Sequence, residues 1–173
     1  MRGGGGELRP VVATTAQAVT CPDDVTVECD VDAVPANTGG SATASDNYDP
    51  APGVDHADDV TAGSCANESV INRTWTATDT CGNTVSCDQI INVVDTIAPM
   101  VTCPADVTVS YDASTASSVT GVATGADICD LAVKISESDA VRPGSCDQGK
   151  LITRTWTATD DCGNSESCAQ LTT

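Results

Sequence analysis

The chain has 173 residues, with no Phe, two Trp, two Tyr, ten Cys and a formal net charge of −18 at pH 7. So acidic a surface repels phosphate backbones, which excludes nucleic acid as a partner, and no stretch is long and apolar enough for a membrane helix. Few large side chains are available to bury, so a core needs covalent help; the cysteines supply it as disulfides, which points to a secreted, extracellular setting.

In chain order, MRGGGGELRP lacks the hydrophobic core of a signal peptide, and residues 1–19 read as an N-terminal extension. TCPDDVTV at 20–27 opens a first domain, 20–95. DVTVECD, GGSATASD and the segment near 53–60 supply strands. VINRTWTATD alternates, with Ile71, Trp75 and Ala77 on one face and Asn72, Thr74, Thr76 and Thr78 on the other, as one wall of a sandwich requires. CGN at 81–83 is a turn and TVSCDQIINVV the returning strand. The linker, 96–101, contains Pro99, which favours an extended connection. TCPADVTV at 102–109 then opens a second domain, 102–173. RTWTATDTCGN at 73–83 returns as RTWTATDDCGN at 154–164, with ten of eleven residues the same. A period near 80 is too long for a solenoid unit and suits one small domain per repeat. Short strands, frequent turns and no helical periodicity of useful length predict an all-β chain, with two tandem immunoglobulin-like β-sandwich domains stapled by disulfides. Trp75 and Trp156 recur on the inward face and read as core residues, not as a carbohydrate platform.

The combination TCPxDVTV, a DN or DIC turn and TWTATDxCGNxxSC resembles the hyalin-repeat (HYR) family, over nearly the whole chain from 20 to 173. Relatives of that kind occur as tandem arrays in secreted and surface proteins of Bacteroidetes-type bacteria. The resemblance implies an immunoglobulin-like fold, a role in adhesion or extracellular structure, and no catalytic activity.

Aligned, the repeats show which cysteines lack a counterpart. Cys29 faces Tyr111, and Cys129 faces Tyr48. Each domain therefore holds five cysteines, and the odd count points to bonds between domains or between chains. Strand topology pairs Cys21 with Cys87, Cys103 with Cys168, Cys29 with Cys65 and Cys129 with Cys162. Cys81, at the head of the chain, and Cys146, at its tail, remain for a bond between subunits. A rival scheme pairs Cys65 with Cys81 and Cys146 with Cys162 and leaves Cys29 and Cys129 to join the domains. It must bring Cys65 to Cys81 across a strand that extends roughly 30 Å.

The ends extend this picture. Leu8-Arg9-Pro10-Val11-Val12 occupies the register of Ile90-Ile91-Asn92-Val93-Val94. Residues 7–14, with Leu8, Val11 and Val12 as anchors, are thus a candidate donor strand completing domain two of a neighbour, in a heterologous contact that propagates as a fibre. Pro10 cannot donate to the ladder and weakens that strand. An excerpt of a longer array would show the same ragged ends.

Carboxylates cluster at Asp46/Asp49, Asp55/Asp58/Asp59, Asp127/Asp130 and Asp160/Asp161. Hard oxygen ligands suit Ca²⁺, but without EF-hand spacing they read as solvated charge. No cofactor is expected; Asp95, in the connecting segment, is the one calcium candidate. Asn67 and Asn72 head N-glycosylation sequons, and Thr96, in Asp95-Thr96-Ile97, resembles a Bacteroidetes O-glycosylation signal. His56 is the sole histidine, too little for a triad, and cysteine pairs of CxxC type for zinc are absent. The chain is expected to be no enzyme. It reads as a structural subunit of an extracellular fibre or surface array, self-assembling by strand addition and disulfides. The alternative is a fragment of a cell-surface adhesin that binds glycans or proteins.

Overall fold

A computed structural model describes residues 18–146 and 149–173. The first repeat contains β1 (Ala18–Thr20), β2 (Val25–Glu28), β3 (Thr43–Ser45), β4 (Gly53–Ala62), β5 (Ser69–Thr78) and β6 (Thr84–Val94). The second contains β7 (Met100–Thr102), β8 (Thr124–Ala126), β9 (Lys134–Pro143), β10 (Lys150–Thr159) and β11 (Ser165–Thr172). The helical content described is a 3-10 turn at Pro35–Asn37 and a four-residue helix, α1, at Ser117–Thr120. The chain is all-β and immunoglobulin-like.

Each repeat builds a small and a large sheet. β1 pairs antiparallel with β3, Val19 opposite Ala44, and β7 pairs likewise with β8, Val101 opposite Gly125. The large sheets run β2-β6-β5-β4 and β11-β10-β9. β10 lies antiparallel to both neighbours, with Trp156 opposite Cys168 on β11 and Glu137 on β9. A parallel bridge sets Val107 beside Thr172. Cys21, just past β1, bonds Cys87 on β6, and Cys103, just past β7, bonds Cys168 on β11. Each bond ties a small sheet to a large one, with Cα atoms 6.0 and 5.9 Å apart. Closing a loop of this length removes about 4 kcal/mol of unfolded-chain entropy, a large share of what a small domain possesses.

The repeat boundaries follow the chain; the compact units do not. The described part of the first unit comprises 18–27, 32–61 and 70–92. The second takes 28–31, 62–69 and 93–173, so it includes the last residues of β2 and β6 and the turn joining β4 to β5.

Alternation along β5 buries Ile71, Trp75 and Ala77, and along β10 Ile152, Trp156 and Ala158. The same parity also buries Arg73 and Arg154, at 2% and 4% exposure. A buried guanidinium is tolerable only if its donors are satisfied. Arg73 Nε and Nη2 donate to the two Asp58 oxygens at 2.7 and 2.8 Å, Nη2 also to Ala33 O, and Nη1 to Thr38 Oγ1. Its charge lies 5.8 Å from the Trp75 ring centre, within cation–π range. Arg154 repeats the set with Asp139, Thr115 O, Thr120 Oγ1 and Trp156. The hydroxyls are positioned by the 3-10 turn and α1, since Thr38 and Thr120 donate to Val34 O and Ala116 O. Buried Gln89 donates to Asp23 O and Thr38 O, and Gln170 to Ala105 O and Thr120 O.

Asp58→Ala would strand the Arg73 charge inside. The expected cost in a urea titration is about 3 kcal/mol, the low end for a broken buried pair, because the Asp58 side chain is 30% exposed and water can partly replace it. The bond to Arg73 holds the Asp58 carboxyl below its ordinary value of 3.8, and Arg154 does the same for Asp139. Carboxylates depressed on folding contribute stability above their unfolded value and lose it as pH falls through the folded one. Unfolding free energy should therefore fall with pH below 3.8, and Asp58→Asn should flatten that fall.

Candidate functional site

The repeated TATDxCGN segment is a strand end followed by a tight turn. Asp79 Oδ1 accepts the N–H groups of Cys81 and Asn83, and Asp79 Oδ2 the Asn83 side-chain amide. These bonds, the Asn83 amide first, lower the Asp79 carboxyl below its ordinary value. Gly82 has φ +86° and Gly163 φ +93°, a conformation in which glycine has no steric cost. In the second repeat Asp160 accepts from the backbone and side chain of Asn164. The two turns leave their cysteines in different settings. Cys81 is exposed and outside any disulfide, whereas Cys162 is half-buried and bonded to Cys65.

The structure joins Cys29 to Cys129 and Cys65 to Cys162, with Cα atoms 5.9 and 5.1 Å apart. All four residues lie in the second unit. The expected pairs Cys29–Cys65 and Cys129–Cys162 are thereby corrected. Cys29 follows β2 and Cys65 follows β4, the two edges of a four-stranded sheet. Three strand spacings place those edges about 14 Å apart, beyond the roughly 7 Å limit of a disulfide. Cys129 follows β8 of the small sheet, and Cys162 sits in the β10–β11 turn of the large one. The rival scheme's Cys29–Cys129 bond is present, but its Cys65–Cys81 and Cys146–Cys162 bonds are not. Cys146 is exposed and unpaired, like Cys81.

Most of the clustered carboxylates close loops. Asp46 accepts from the backbone of Tyr48 and Asp49, and Asp49 from Ala51 and Thr80. Asp127 and Asp130 repeat this with Cys129, Asp130, Ala132 and Asp161. Asp161 pairs with exposed Lys134 and raises its pKa; such a surface pair adds little stability. His56 lies against Trp75, ring centres 4.9 Å apart.

Asp95 is shifted the opposite way from Asp79 in its pKa. It is 4% exposed, its Oδ1 accepts the Ile97 N–H at 3.3 Å, and its Oδ2, like those of Asp46 and Asp127, is buried without a partner among the described residues. Burial raises its pKa, and the charges of Asp160, Asp127 and Glu28 push it the same way. A carboxylate oxygen of Asp95 lies within 4.8 Å of the Cys29 and Cys129 sulfurs, and one of Glu68 likewise near Cys65 and Cys162. Those sulfurs are in disulfides and are no thiolate ligands, so each group retains a single carboxylate. Thr96 is exposed, with its N–H and hydroxyl donating to Glu28. Of the sequon residues, Asn72 is exposed and Asn67 half-buried.

A groove of ≈ 770 Å³ opens in the second unit, lined among others by Val109, Tyr111, Val141, Cys146, Leu151 and Ile152. The donor-strand residues Leu8, Val11 and Val12 lie outside the described residues.

No family model matches the chain, and no curated protein matches it. Among solved structures, the crystal structure of Drosophila N-cadherin EC1-4 is similar at 13% identity and a TM-score of 0.41, over 91% of this chain. The chain spans 49% of that one. On its own sheets and disulfides, this is an immunoglobulin-like β chain, compatible with an extracellular structural or adhesion module.

A carboxyl raised on folding costs stability above its folded value and none below its unfolded value. Asp95→Asn is therefore expected to raise the Tm at pH 7, with the gain closing as pH approaches 3.8. A Tm increase on adding Ca²⁺ to the natural chain, abolished by Asp95→Asn, would instead mark Asp95 as a calcium ligand.

Proposed function

We propose that the chain is a structural subunit of an extracellular fibre or cell-surface array, built by strand addition and disulfides between copies. The observation that carries this reading is the way one repeat is covalently joined to the next, through Cys29–Cys129 and Cys65–Cys162, with Cys81 and Cys146 exposed and unpaired. The hyalin-repeat resemblance of the doubled motif agrees with a tandem array at a bacterial surface.

The groove supports strand addition. In the first repeat the Cys29 N–H donates to Val94 O. In the second, Val107 N–H donates to Leu171 O and Val109 N–H to Thr173 O; the next donor in the series is Tyr111, at the groove. Val12 shares the register of Val94, so a neighbouring copy's Val12 carbonyl is the proposed acceptor. Leu8 shares the register of Ile90, which Leu171 holds within β11. Val11 and Val12, not Leu8, therefore carry the addition. Thr96 is the proposed O-glycan acceptor.

With free thiols blocked, denaturing electrophoresis of assembled material should show a ladder that reductant collapses to one 17.5 kDa band. Cys81→Ser should abolish the ladder, and Val12→Asp should slow its growth. A chain that stays monomeric and binds saturably to a polysaccharide or cell surface would overturn the fibre in favour of an adhesin.

A further inference from the structure

Four positions of the repeat take part in joining one repeat to the next. Cys65 and Cys146 share one, Cys162 and Cys81 a second, Cys29 and Tyr111 a third, and Cys129 and Tyr48 a fourth. Within the chain, the first position of repeat one bonds the second position of repeat two (Cys65–Cys162), and the third bonds the fourth (Cys29–Cys129). Advancing the same step by one repeat takes it from the second repeat of one copy to the first repeat of the next. Cys146 then meets Cys81, and Tyr111 meets Tyr48.

We infer that the junction between copies repeats the junction the chain makes with itself, so that Tyr111 of one copy packs against Tyr48 of the next beside a Cys146–Cys81 disulfide. This rests on the fibre reading and names its contact. The two cysteines left over by the step are the two that are exposed and unpaired. The two positions that depart from cysteine become partners under it, and both carry tyrosine. These are the chain's two tyrosines, and they are 68% and 75% exposed. Loss of one cysteine alone would leave its partner as a stray thiol in an oxidising setting; replacing both members of one pair leaves none. Two largely exposed aromatic rings suit an offset or edge-to-face contact with one another.

The covalent step is a thiol–disulfide exchange, with a low-molecular-weight disulfide such as glutathione disulfide as oxidant. The Cys146 thiolate attacks it, forms a mixed disulfide and displaces one thiolate. The Cys81 thiolate of the next copy attacks the Cys146 sulfur and displaces the second. Two protein thiols are oxidised, the small disulfide is reduced to two thiols, and the two protons pass to them.

The test mixes two variants, Tyr48→Cys and Tyr111→Cys, each retaining Cys81 and Cys146, in the presence of glutathione disulfide. Disulfide-linked peptides are then mapped by mass spectrometry. No chain carries both substitutions, so a bond between positions 48 and 111 must join two copies. That bond, found together with 81–146 and absent when either variant is oxidised alone, is the expected result. An 81–146 bond with no 48–111 bond would overturn the tyrosine contact and leave the fibre standing. Absence of both bonds, with no assembly of the unsubstituted chain, would overturn the fibre and the contact together.

Discussion

Each repeat is organised around one guanidinium. Arg73 sits on the inner face of β5 with nearly all of its surface removed from water. It can stay there only because Asp58, Thr38 and the Ala33 carbonyl answer its donors and Trp75 lies beside its charge. These partners come from the neighbouring strand and from the loop after β2, so satisfying one side chain fixes the place of both. Gln89 extends the network by bonding Thr38 O and Asp23 O and accepting from Trp75 Nε1. In a chain with no Phe, such a network specifies the packing that bulky hydrophobes would otherwise specify.

The disulfides divide into two kinds. Cys21–Cys87 and Cys103–Cys168 join the small and large sheet of one repeat and compensate for a thin apolar core. Cys29–Cys129 and Cys65–Cys162 join residues of different repeats. They do so inside a compact unit that draws segments from both, which explains why 28–31 and 62–69 group with 93–173.

The acidic composition has a structural side as well as a solubility side. Asp49, Asp79, Asp127, Asp130 and Asp160 each accept backbone N–H groups at loops. Aspartate does this well because its short side chain reaches N–H groups two or more residues on. A count of carboxylates therefore overstates the charge free to bind a cation. Asp95 differs in that burial raises its pKa; its Oδ2, like those of Asp46 and Asp127, is buried without a partner among the described residues.

The sequence by itself determined the two repeats, their β character and the inward parity of Ile71, Trp75 and Ala77, because alternation is a local property with a period of two. The same parity pointed to Arg73, and its recurrence as Arg154, each with an acid fifteen residues earlier at Asp58 and Asp139, was the available signal. It is easily overlooked, since arginine is expected outside. Strand order alone was enough to pair Cys21 with Cys87 and Cys103 with Cys168; which cysteines join the two repeats was decided by the tertiary structure. Cys29 and Cys65 are nearer to each other in sequence, but two intervening strands separate the edges they follow, while each comes within bonding distance of a cysteine 100 or 97 residues further along the chain, Cys129 and Cys162 respectively. A disulfide depends on Cα separation, and sequence spacing fixes that separation only along a single strand, not across a sheet or from one repeat to the next.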